Sequence, residues 1–279
     1  MAAVAINGEA IHAALTHIAE RHRRSRILFE PWLGWQLFAR ANSHVPTIRL
    51  DSGDLKIRTK YPRVMCNLYS ITKGQAAIIA FTHAMRDTTG NLPPLPGIFP
   101  DYMAPVVRNA PDSVRELAML RWGMPGPPKF GGHAITNIRN TQSAHWRRWL
   151  KPESRCVVPW TSFCEYADTK PRKTPTWFAF DESRPLAVFA GIWTTWRGSR
   201  GTKSNPVEGE HQLFGFLTTE PNDVVGAIHP KAMPVILTTQ AEIERWMTAP
   251  AEDALKLQRP LADGALKIVA TGERKDDAA

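Results

Sequence analysis

Residues 155–166 read R-C-V-V-P-W-T-S-F-C-E-Y, an apolar and aromatic run that ends beside a single carboxylate. Its β-branched and aromatic content predicts a strand over 155–163, with Glu165 at the end of a buried strand. Runs of the same kind recur at 105–109, 115–122, 134–138, 176–180, 186–193 and 211–218, with a shorter one at 66–70. Helical spacing is confined to 143–150, 220–227, 240–247 and a segment from an N-cap at Thr72 to Arg86. That last helix is expected to place Ala76, Ile79, Ala80 and His83 on one face. The Pro-rich stretch 91–105 reads as loop. Many short strands with few helices predict the α+β class: a compact, mainly antiparallel β domain with a few peripheral helices.

Composition narrows the partners. The chain has 279 residues, 43% of them hydrophobic, with ten Trp, which suits a globular protein with a sizeable core. A formal charge of +9 favours a polyanionic partner, most simply nucleic acid, although many basic proteins bind none. Cys66, Cys156 and Cys164 show no C-x-x-C spacing, which argues against a zinc site and a disulfide framework. No G-x-G-x-x-G or Walker loop is present, so neither a metal nor a nucleotide cofactor is expected. The start lacks the pattern of a signal peptide, and no apolar run reaches membrane-spanning length. A cytoplasmic, monomeric protein without a membrane partner is expected.

Residues 1–64 differ in character. They hold R-H-R-R-S-R at 21–26 and an apolar patch at Trp32–Phe38, with no pattern that completes a core. The basic run suits nucleic acid or a solvated helix end. The preferred reading is an extension outside the functional domain, through a translation start at Met65 or a removable leader. The functional domain is expected over 65–260 and a C-terminal tail over 261–279. If Cys66 becomes the first residue, its α-amine and thiol form a 1,2-aminothiol that no internal cysteine supplies.

Several side chains suit chemistry, each beside a plainer role. Desolvation at a strand end would raise the pKa of Glu165 toward that of a general acid, while an ion pair with Arg would be structural. His229, between a short helix and an apolar strand, suits a base or a capping residue. Asn137 and Arg139 sit two residues apart on one strand face, which suits orienting a substrate and gripping a phosphate, or ordinary edge roles. Trp122, Trp146, Trp149 and Trp160 interleave with Arg147, Arg148 and Arg155, a pattern that suits single-stranded nucleic acid, although most of these Trp are expected in the core. Cys156 and Cys164 are expected to be inert core thiols.

Together these pieces resemble the SOS response-associated peptidase family. The carriers are Met65-Cys66, R-W-G-M-P at 121–125, N-I-R at 137–139, F-C-E-Y at 163–166 and H-P-K-A-M-P-V-I-L at 229–237. The resemblance spans Met65 to Met247. It implies covalent cross-linking to abasic sites in single-stranded DNA, with Cys66 as nucleophile, Asn137 as positioning amide, and Glu165 and His229 in acid/base roles. Arg139 is the implied backbone contact, and Trp122, Arg147, Arg148 and Lys231 complete the expected DNA-binding set. It also implies an autopeptidase activity that exposes Cys66. The chain departs from the family at Asn67-Leu68, where Gly-Arg is usual, at Thr141, where a carboxylate is usual, and at Lys231-Ala232, where one residue is gained. Two alternatives stay open: a cysteine peptidase or amidohydrolase using internal Cys66 and His229, and a non-catalytic single-stranded DNA-binding module.

Overall fold

Arg155, the first residue of the run quoted above, is fully buried and ties two helices to the sheet behind it. Its Nε donates to the Leu150 carbonyl at 2.9 Å and its Nη1 to the Trp246 carbonyl at 2.6 Å. Those carbonyls lie at or near helix C-terminal ends, where they lack partners within the helix. Burial lowers the Arg155 pKa to about 10. The computed structural model describes residues 67–276 apart from Gly131 and Lys203. The expectations for residues 1–64 and for Cys66 lie outside the described residues.

The strands are β1 (Leu68–Ile71), β2 (Arg86–Asp87), β3 (Leu95–Ile98), β4 (Met103–Asn109), β5 (Arg115–Trp122), β6 (Asn137–Ile138) and β7 (Arg155–Trp160). They continue with β8 (Ser162–Ala167), β9 (Thr174–Ala179), β10 (Ala187–Thr202), β11 (Asn205–Thr219), β12 (Met233–Pro234), β13 (Ile236–Leu237) and β14 (Lys267–Thr271). One sheet runs β14-β9-β8-β1-β3, the other β12-β11-β10-β7-β4-β5-β2. In the second, β5 also pairs in parallel with β11, which closes β11-β10-β7-β4-β5 into a barrel. The remaining pairings are mostly antiparallel, as expected for this α+β fold.

Aromatic side chains fill the core. Tyr69 meets Trp122, Phe189 and Phe216 edge-on at 5.1, 5.9 and 6.1 Å, and Trp160 stacks on Phe189 at 5.0 Å. Such pairs add about 0.5–1.5 kcal/mol each beyond the area they bury.

Several boundaries move. The first helix spans Gln75–Thr82 after an N-cap at Gly74, because the Thr72 amide and hydroxyl are held by Thr161 Oγ1 at 3.2 and 3.3 Å. Its buried residues are Ile78 and Thr82, not the expected face; His83 ends it with φ 53°. The Pro-rich loop contains β3 and the start of β4, since β3 is an edge strand that tolerates Pro96. Beyond residue 260, β14 pairs with β9, and Asp276, 3% exposed, accepts from Arg184 Nε at 2.8 Å. Among the described residues, no helix is long and apolar enough to cross a membrane.

Candidate active site

Asn67, the first described residue, stands just before β1 and is tied sideways to β6. Thr136 Oγ1 donates to Asn67 Oδ1 at 3.1 Å and accepts from Asn137 Nδ2 at 3.0 Å. Parallel pairing of Asn137 with Phe216 holds β6 on the barrel wall, and Asn137 is 4% exposed. On the other side, β1 and β8 pair Leu68 with Cys164 and Tyr69 with Phe163. One step further along this antiparallel register, Glu165 comes alongside Asn67. Strand alternation puts Glu165 on the face of Phe163, toward the main core, and it is 1% exposed.

His229 reaches the same place from a different element. Asn222 Oδ1 caps the short helix Asp223–Gly226 by accepting from the Val225 amide at 3.1 Å, and the His229 amide donates to the Val225 carbonyl. The buried imidazole then lies with Nδ1 2.9 Å from the Ala232 carbonyl and 3.6 Å from Glu165 Oε2. A carbonyl only accepts, so Nδ1 carries a proton. The structure thus brings Glu165 and His229 together, and links Asn137 to Asn67.

Arg139 follows β6 at the rim of a polar depression of about 270 Å³. Gln258 shapes its floor, donating to the Arg139 and Thr218 carbonyls and accepting from Thr141 Oγ1. The Arg139 guanidinium is ion-paired with Glu220. Glu220's own backbone amide, the Thr219 hydroxyl and Arg139 hold that carboxyl below its usual pKa.

Residues 65–273 match the family model described as SOS response associated peptidase. The chain belongs to this family. Over 152 residues it is 32% identical to the abasic site processing protein YoqW of Bacillus subtilis strain 168, a match covering 52% of this chain and 63% of YoqW. Against the abasic site processing protein YobE of the same organism it is 30% identical, covering 52% of this chain and 65% of YobE. The chain therefore spans less than two thirds of these relatives. Its fold is similar to that of a Bordetella bronchiseptica protein, with TM-score 0.56 and 23% identity over 74% of this chain and 98% of the other. A Bacteroides thetaiotaomicron protein matches with TM-score 0.54 and 19% identity over 72% and 90%.

Within this family member the remaining expected residues divide. Arg147, Arg148 and Lys231 are exposed, with Arg148 stacked over Trp149 at 4.0 Å. Trp122 is a correction: it is fully buried, packs against Tyr69 and Phe216, and its Nε1 donates to the Thr136 carbonyl at 3.2 Å. It has no surface on which a base can stack, and it supports Thr136 from behind. Trp146, Trp149 and Trp160 are buried as well. Cys156 and Cys164 are buried free thiols, and burial pushes Cys164 up to about 12. Sequence reasoning met Asn67 only as a departure from the family pattern and passed over Thr136; their positions beside Cys66 and Asn137 were the available signal. Among the described residues, no three His, Cys, Asp or Glu side chains gather as a metal site.

Proposed function

We propose that this chain senses abasic sites in single-stranded DNA and traps them covalently as a thiazolidine at Cys66. The observation that carries this reading is the buried Glu165–His229 pair beside Asn67, with Asn137 joined to Asn67 through Thr136. Cys66 directly precedes Asn67 in the chain, which supports a nucleophile at Cys66 acting beside these groups. The names of YoqW and YobE, and the start of the family match at residue 65, support the same reading.

The ring-opened deoxyribose presents an aldehyde. An α-amine, with a reference pKa of about 7.7–8.0, is partly neutral at pH 7 and attacks it. The carbinolamine loses water to an imine, and the thiol adds to the imine carbon; aldehyde and aminothiol give thiazolidine and one water. Glu165 gives a proton to the departing hydroxyl, and His229 Nε2 takes the proton the amine releases. Asn137 orients the sugar, while Arg139, Arg147, Arg148 and Lys231 hold phosphates. The amine exists only when residues 1–65 are absent, through initiation at Met65 with removal of that Met, or through self-cleavage before Cys66.

The test uses protein beginning at Cys66 and an oligonucleotide with one abasic site. An adduct that survives denaturation is expected, with Cys66→Ser preventing the ring and Glu165→Gln slowing its formation by about 10²-fold or more. Wild-type-like trapping by both variants would contradict the reading. The arrangement of His229, with Nε2 as base, also favours a cysteine hydrolase. Peptide cleavage by the full chain, abolished by Cys66→Ala, would select that reading instead.

A further inference from the structure

A second basic cluster lies across β1 from Glu165, and nothing above uses it. β3 pairs with β1 at Tyr69 and Ile98, so the loop following β3 runs beside the start of β1. From this loop Tyr102 projects 55% exposed, with Phe99 edge-on behind it at 5.6 Å. The loop is joined to the site through Trp122, whose amide donates to the Tyr102 carbonyl and whose indole donates to Thr136.

Two arginines stand on this loop from different elements. Arg121, at the end of β5, donates from Nη1 to the Asp101 carbonyl at 2.7 Å. Arg200, near the tip of the β10–β11 hairpin, donates from Nη2 to the Gly123 carbonyl at 3.0 Å and lies 4.5 Å over the Trp196 ring. Trp196 lies flat across Gly198, where an added Cβ would come within 2.1 Å of the ring. A carboxylate nearby, Asp101, accepts from the Gly201 amide at 2.9 Å and is 3.4 Å from Arg121. Burial and the neighbouring Arg121 charge hold Arg200 below the usual arginine range, against an opposing pull from Asp101.

Arg155 is likewise held by neutral carbonyls, but it lies fully buried in the core, and other arginines are tied closely to carboxylates. Arg86, Arg108, Arg115, Arg139 and Arg184 each meet a carboxylate directly. Arg121 and Arg200 are fixed mainly by neutral carbonyls and a ring, and the buried Nε of each lacks a hydrogen-bond partner. Two ordered guanidiniums against one carboxylate leave an excess positive charge, and guanidiniums match phosphate geometry well. An exposed tyrosine beside them offers a face for a base.

The geometry points to Arg121, Arg200 and Tyr102 as a second single-stranded DNA subsite, the arginines gripping backbone phosphates and the tyrosine stacking a base next to the trapped sugar. This rests on the reading that single-stranded DNA is the partner. Protein beginning at Cys66 is titrated with undamaged and abasic oligonucleotides across a salt series. Replacing Arg121 and Arg200 together by Gln should weaken binding about tenfold and flatten the log Kd against log salt slope by about 1.4, at roughly 0.7 per phosphate. Their replacement by Lys should keep most of that slope, and Tyr102→Ala should weaken binding about fivefold or more. Asp101→Asn should tighten binding and steepen the slope; its φ of 69° suits Asn, so a fold defect does not mimic this gain. Lys256→Gln with Lys267→Gln is the charge control. Unchanged slopes in the Gln pair and in Asp101→Asn overturn the subsite. Wild-type protein that shows these dependences yet leaves no adduct retires the trapping reading and keeps the subsite.

Discussion

Under the proposed reading, Glu220 sets how strongly Arg139 holds a phosphate. The two form an exposed ion pair, so in that reading the carboxylate would compete with DNA for the guanidinium. Such pairs contribute about 0–1 kcal/mol, and Glu220→Gln should therefore tighten single-stranded DNA binding by at most about fivefold. Fluorescence anisotropy checks this, and the effect should vanish in an Arg139→Gln background. The cysteines give a second prediction. Burial raises both Cys156 and Cys164, the latter to about 12, so iodoacetamide at pH 8 should leave both unmodified until the protein unfolds. Peptide mapping with and without denaturant reads the result. Glu116 bears on acid stability. Burial raises its pKa, but hydrogen bonds from Arg108 and Arg86 outweigh that and leave it lowered. A lowered folded-state value contributes stability above the ordinary glutamate pKa of about 4.3, lost as pH falls through the folded value. Glu116→Gln should thus flatten the loss of stability below about pH 4. At this scale the sequence pointed to Glu165 and His229, and the structure brings the two within 3.6 Å of each other. Trp122 was illegible, because an aromatic beside an arginine reads alike on a surface and in a core.

Strand β5 falls on its expected residues, 115–122, because one face of the barrel alternates with its neighbours there. The β10–β11 hairpin shows where such reading stops. Its inner halves, near 187–193 and 213–219, are buried and apolar; its outer halves pair with each other and project, leaving no apolar pattern to read. Register alone carries the strand past Trp193, and it is this invisible half that delivers Arg200. Within the barrel, Trp122 stacks on Phe214 and Phe216 at 6.4 and 5.2 Å. Trp122→Ala should cost about 3–5 kcal/mol, measured by denaturant unfolding, and should also loosen Thr136. A surface base-stacking role would instead leave stability nearly unchanged.

The two sheets meet at β1, β7 and β8, so the site draws on both: β8 supplies Glu165, while β6 on the barrel supplies Asn137. The C-terminal strand completes the first sheet, although its residues are mostly exposed and carry little pattern. Its anchor is Asp276, which binds Arg184 and Ser162, and Ser162 in turn contacts Ser70 on β1. Asp276→Ala would leave Arg184 buried without its carboxylate, a loss of about 3–5 kcal/mol for such a pair. Thermal unfolding should show it, and trapping should weaken with it as β1 and β8 lose a shared support. The central claim concerns the far end of β1. Its most direct test is the intact mass of the covalent product formed when protein beginning at Cys66 meets abasic single-stranded DNA. The account predicts protein plus DNA less one water, with fragmentation placing the link on the amine and thiol of Cys66. A link elsewhere, or the same product from protein whose Cys66 amine is acetylated, would contradict it.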